Sequence, residues 1–128
     1  MNPFGHVDVR VADMAVALPF YEAFLPAVGF TVTSHGPVWQ CFDAASELPR
    51  EVYFALTEDH EHRPNMNRIA FWADSREDVD RAAAAARAGG ARVTSGPQDY
   101  PEYGPGYYAV FFEDPGGNRL EVMHRSRE

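Results

Sequence analysis

Polar and β-branched residues alternate over His6-Val7-Asp8-Val9-Arg10-Val11, which predicts a strand with one face on a core and the other left polar. Asp13 then suits a helix N-cap. Met14, Leu18, Tyr21 and Leu25 follow at helical spacing as far as Val28-Gly29, a glycine ending of the usual kind. Pro19 falls past the first turn, where a missing N–H costs roughly 3 kcal/mol in a straight helix, so a kink or a division is expected there. Three strands are predicted next, at Phe30–Thr33, Val38–Phe42 and Glu51–Leu56, separated by His35-Gly36-Pro37 and by a polar turn over Ser46–Arg50. Their short links predict an antiparallel meander. From Thr57 to Asn67 the chain is polar, charged and without apolar period, and reads as a linker.

Beyond it the pattern begins again. Arg68–Trp72 reads as a strand, and Ser75 with Asp78 three places on opens a helix that runs through an alanine-rich stretch to Gly89-Gly90. Val93–Ser95, Tyr107–Phe112 and Arg119–Met123 supply three more strands. The last two are joined by Glu113-Asp114-Pro115-Gly116-Gly117-Asn118, rich in residues that accept tight-turn geometry. His6 precedes the cap at Asp13 by seven residues, as Arg68 precedes the cap at Ser75. The matching spacing predicts an internal duplication. The expected fold class is α+β, with two βαβββ modules, residues 4–57 and 66–126, in one domain spanning 1–128. Each helix should pack on the convex side of a curved mixed sheet whose other side forms a cleft.

Strand parity decides which side chains share that cleft. If Val7, Val9 and Val11 pack inward, then His6, Asp8 and Arg10 face the other way. By the same count Arg68, Ala70 and Trp72 face the cleft, as do Arg119, Glu121 and Met123, joined by Tyr53, Ala55, Tyr107, Ala109 and Phe111. Aromatic rings with a few convergent polar groups suit a small-molecule site. Asp8, Arg10, Tyr53, Arg68, Trp72, Tyr107, Phe111 and Arg119 are therefore expected to bind substrate.

Charge and composition narrow the partners. The 128 residues are 45% hydrophobic, with 11 basic and 19 acidic side chains giving a net charge of -8. That charge repels phosphate backbones and anionic lipid, which argues against nucleic acid and membrane partners and would steer a cation. No apolar run approaches membrane-spanning length, and the first residues lack the basic-then-apolar layout of a secretion signal, so a cytoplasmic protein is expected. Cys41 stands alone, so no intrachain disulfide is possible.

The sequence resembles the vicinal-oxygen-chelate superfamily, which includes lactoylglutathione lyase (glyoxalase), bleomycin-resistance proteins, fosfomycin-resistance transferases and extradiol dioxygenases. The resemblance covers nearly the whole chain. Its carriers are His6 to Asp13, Phe20-Tyr21, Gly29-Phe30, Arg68-Ile69-Ala70-Phe71, Ala88-Gly89-Gly90 and Phe112 to Glu121, with Asp114-Pro115-Gly116-Gly117-Asn118 the most specific. Enzymes of this kind usually bind a divalent metal through a His on the first strand, a residue on the fourth, a His on the fifth and a Glu on the eighth. Carried over, the first is His6 and the last is Glu121, while Arg68 stands at the fifth-strand position and Ala55 near the fourth. His6 and Glu121 are thus the candidate ligands of Ni, Zn, Fe or Mn. Glu121 is also the candidate catalytic residue, moving a proton beside the metal. The bland alternative pairs Glu121 with Arg68, whose positive charge opposes a cation.

The resemblance implies a glyoxalase-family protein that binds a small molecule in the cleft, as a lyase or other enzyme with a degenerate metal site. The competing reading is a metal-free drug- or metabolite-binding protein like the bleomycin-resistance members. It also implies a homodimer that completes its sheets or clefts across a two-fold interface. Three further features have two readings each. His60 and His62 could chelate a metal or belong to a solvated charge run. Tyr100, Tyr103, Tyr107 and Tyr108, set around Pro101 and Gly104-Pro105-Gly106, could form a ligand lid or merely cover the sheet. His124, at the opposite parity to Glu121, is expected to pack against a helix or a second subunit.

Overall fold

A computed structural model describes residues 3–44 and 52–126; the expected turn at Ser46–Arg50, with Glu51, lies outside them. The elements in order are β1 (His6–Val11), α1 (Met14–Phe24), a 3₁₀ turn (Leu25–Val28), β2 (Phe30–His35), β3 (Trp39–Ala44) and β4 (Tyr53–Glu58). They are followed by β5 (Arg68–Trp72), α2 (Arg76–Ala88), β6 (Arg92–Asp99), a 3₁₀ turn (Pro101–Tyr103), β7 (Tyr108–Glu113) and β8 (Arg119–His124). They form two four-stranded mixed sheets of identical plan, β1-β4-β3-β2 and β5-β8-β7-β6. In each, the first strand runs parallel to the fourth and the rest are antiparallel, which is the expected meander plus one crossover.

The Asp13 carboxylate caps α1, accepting from the N–H groups of Ala15 at 3.0 Å and Val16 at 3.3 Å. The helix then runs through Pro19 instead of dividing there. Pro19 and Ala15 both lie on the exposed side, so the carbonyl that loses its N–H partner faces solvent. The change of geometry comes at Pro26, which opens the 3₁₀ turn where its missing N–H is harmless, and Gly29 ends that turn at φ +99°. The Ser75 hydroxyl caps α2 by accepting from the N–H of Asp78 at 3.1 Å.

One core joins the two halves. Phe20, Tyr21, Phe24 and Leu25 of the first helical segment are fully buried, as are Val79, Ala82 and Ala86 of α2. Burying each large side chain contributes about 1.5–3 kcal/mol. The alanine face lets α2 approach closely, and rings interlock across the sheets: Phe54 of β4 lies 5.7 Å from Phe71 of β5, and Phe24 lies 5.1 Å from Phe112 of β7. Val9, Val11, Phe71, Leu120 and Val122 point into this core as parity predicts. Among the described residues no helix is long and apolar enough to cross a membrane.

Several strands exceed their expected ends. β6 continues to Asp99 because irregular pairing between Val93 and Ser95, and again between Ser95 and Gln98, carries it past Gly96-Pro97. His35, read as a loop residue, ends β2.

Candidate functional site

Each sheet turns one face to the shared core and leaves the other open. On the first sheet the open face carries His6, Asp8 and Arg10, all exposed, with Tyr53 partly so. The His6 ring stacks on Tyr53, with centroids 4.6 Å apart and planes 5° apart, and its Nε2 lies 3.4 Å from Asp8 Oδ2. Cross-strand register explains the stack, because His6 and Tyr53 are direct partners.

The open face of the second sheet is built differently. Glu121 of β8 lies between Ala70 of β5 and Phe111 of β7 in register, yet it is only 5% exposed. The segment between β6 and β7 supplies the cover. Tyr107 donates its hydroxyl to Glu121 Oε2, and Tyr100, buried against Phe111, shares a hydrogen bond with Ser95. Tyr100, Ala109, Phe111 and Met123 form a small second core with Tyr107 packed on it. Tyr103 meets Tyr107 at 5.4 Å and Phe111 at 6.2 Å while staying 55% exposed. The tyrosine segment therefore covers one end of the sheet and fixes the carboxylate of Glu121. Burial, then the hydrogen bond to Glu121, pushes the Tyr107 phenol well above its usual value.

Arg68 does not pair with Glu121. From β5 it reaches across β8 and lays its guanidinium over the Phe111 ring, 4.8 Å from the centroid. Parity placed both groups on one face; it did not choose partners, and the short Tyr107 phenol is the nearer donor for Glu121. Arg119, the register partner of Arg68, is half-buried at the same end. Together with Thr94, Phe111 and Glu113 the two arginines line a cavity of about 210 Å³. Trp72 sits at the opposite end of β5, 54% exposed, with the Arg125 guanidinium 5.7 Å from its ring. Sequence reading did not single out Thr94 or Ser95, because only the bulged path of β6 brings them to this face.

Three further histidines, His60, His62 and His124, have structural partners. His60 Nδ1 lies 3.0 Å from the Ala12 carbonyl, and His124 Nδ1 lies 2.9 Å from the Ala73 carbonyl. His62 Nε2 lies 2.8 Å from Asn118 Oδ1. Since Asn118 Nδ2 already donates to Arg10 O and Asp114 Oδ2, its Oδ1 must accept, so His62 carries a proton on Nε2. His60 and His62 thus serve separate anchors and do not converge on one point.

The donor set does not fit a divalent-metal centre. Within one chain His6 and Glu121 sit on the open faces of different sheets, so the misfit rests on the groups around Glu121. Arg68 and Ala55 offer no metal-binding atom, and Tyr107 occupies an oxygen of Glu121. Among the described residues no group of three or more His, Cys, Asp or Glu is gathered for a metal.

Known proteins bear on this geometry. A protein of Bacillus subtilis (strain 168), YqjT, described as uncharacterized, is 30% identical over 123 residues, covering 92% of this chain and 95% of its own. A glyoxalase/bleomycin resistance protein from Albidiferax ferrireducens T118 superposes with a TM-score of 0.78 at 26% identity, covering 98% of this chain and all of its own. The fosfomycin resistance protein FosX from Listeria monocytogenes shares the fold, with a TM-score of 0.70 at 17% identity over 99% of this chain and 96% of its own. The family profile matches residues 4–122, and the chain belongs to the Glyoxalase/Bleomycin resistance protein/Dioxygenase superfamily.

Proposed function

We propose that this chain binds a small organic molecule on the open face of the sheet β5-β8-β7-β6, and that it does so without a metal held by His6 and Glu121. The superfamily often uses divalent metals and its members typically bind small molecules. The observation that carries the metal-free reading is the placement of Glu121, buried beneath Tyr107 with the cationic Arg68 beside it on Phe111. A cation at Glu121 would have to displace the phenol and sit near a guanidinium. Asp8, Arg10 and Tyr53, on the open face of the other sheet, reach such a ligand only across a second subunit. The homodimer expected from the family would provide one, and β1, β2, β5 and β6 are the sheet edges it could use.

A catalytic role is a second reading, favoured by the same Tyr107–Glu121 pair. A buried carboxylate with one phenolic donor can take a proton from a bound substrate and pass it back.

Metal analysis of purified, untagged protein, with a thermal-shift ligand screen in the presence and absence of chelator, tests the reading. Ligands that stabilise the protein equally with chelator present are expected. Stoichiometric metal that is lost in His6→Ala or Glu121→Gln would overturn it.

A further inference from the structure

We propose that Arg68 and Arg119 form a site for the carboxylate of a small aromatic or branched acid whose apolar body lies along Phe111 toward the tyrosine segment. This rests on the open-face reading above and names the class of ligand.

The first support is a local imbalance of charge. Arg68 and Arg119 are direct partners on adjacent parallel strands, with side chains on the same face. Like charges so placed repel one another. The carboxylates on this face are engaged elsewhere: Glu121 accepts from Tyr107, and Glu113 pairs with Arg92 at 3.8 Å. Among the described residues neither Arg68 nor Arg119 forms an ion pair. Glu113, the register partner of Arg119, lines the same cavity but turns to Arg92, so the two neighbouring guanidinium groups close no ion pair and can take an anion from outside, for which their planar forks are well matched.

The second support is shape. The cavity of about 210 Å³ that both arginines line falls below the roughly 300 Å³ of pockets for drug-sized ligands, so the acid is small. Phe111, which lies buried under Arg68, supplies its apolar lining together with Phe112 and Leu120, and Tyr103 and Tyr107 pack beyond Phe111, outside the cavity. The Thr94 hydroxyl is spent on the Phe111 carbonyl at 3.2 Å, so the guanidinium groups alone serve the anion. The net charge of -8 would steer a cation toward the chain as a whole, whereas this end of the face has the opposite local sign.

Isothermal titration of the full chain with phenylacetate and with its uncharged isostere phenylacetamide tests the proposal. Phenylacetate should bind at least about tenfold more tightly than the amide. Arg68→Gln and Arg119→Gln should each weaken phenylacetate by about tenfold while leaving the amide unchanged, and Arg68→Lys should fall between, since a point charge replaces the fork. Arg92→Gln, which touches the face only through Glu113, should bind as the parent does. Equal binding of acid and amide would overturn the anion site while leaving open-face binding intact, and no binding of phenylacetate would overturn it as well. Failure of the metal-free reading registers separately, in the metal content.

Discussion

Asp114 and Glu121 are the two buried acidic side chains among the described residues, at 2% and 5% exposure, and they are treated in opposite ways. Asp114 is saturated. Its carboxylate accepts from the Tyr21 hydroxyl at 2.6 Å, from the N–H groups of Gly116 at 3.0 Å and Asn118 at 2.9 Å, and from Asn118 Nδ2 at 2.9 Å. Through Tyr21 it ties α1 to the β7–β8 turn, and Asn118 carries the tie on to the Arg10 carbonyl and to His62. Glu121 has Tyr107 as its one side-chain donor, and guanidinium groups nearby that do not close on it. A fully satisfied buried acid fastens architecture, whereas one held by a single phenol keeps lone pairs for chemistry or binding.

The sharpest way to break the comparison is to remove each carboxylate. Asp114→Ala leaves several donors without an acceptor and should cost about 3–5 kcal/mol in chemical denaturation. Glu121→Gln should cost about 1 kcal/mol or less, because the amide oxygen still accepts from Tyr107. Comparable losses for the two variants would show that Glu121 is a structural acid after all. Tyr107→Phe should fall between them, at about 1–3 kcal/mol, since it strands a buried carboxylate without a donor.

The Asp114 turn was legible in sequence as turn chemistry and as the most specific carrier of the family resemblance. Gly117, at φ +101°, accounts for one glycine of the motif, and the Asp114 side chain closes the loop on its own backbone. What the motif does for the whole fold depends on Tyr21, far away in sequence, and no local pattern announces that bond. The same division runs through the site. Period-two alternation placed Arg68, Arg119, Phe111 and Glu121 on one face, because the pleat leaves a strand no other choice. It could not assign the partner of Glu121, because that depends on how residues 100–107 fold back over the sheet. It also could not separate the open faces of β1 and β8, because which sheet faces share a core is decided by helix packing.

The smallest effect concerns the phenols on the two acids, and it sharpens the comparison at high pH. Burial, with the Asp114 charge next, pushes the Tyr21 phenol well above its ordinary 10.0, and burial with Glu121 does the same to Tyr107. Below pH 10 both folded and unfolded chains keep these protons, and the contribution of each phenol to stability is fully present. Above it the unfolded chain ionises while the folded chain does not, so stability falls as pH rises, by at most about 1.4 kcal/mol per pH unit for each phenol. Between pH 9 and a little above 10 the loss stays within about 1 kcal/mol. Over this range neither phenol ionises in the folded chain, so Tyr21→Phe and Tyr107→Phe should each flatten the slope by the same amount, although Tyr21 is fully buried and Tyr107 is only partly so. Denaturation midpoints followed across that range decide the point: a slope left undiminished in Tyr107→Phe would mean that this phenol ionises in the folded chain as freely as in the unfolded one, and that a single bond to the open carboxylate does not hold it as the saturated carboxylate holds Tyr21.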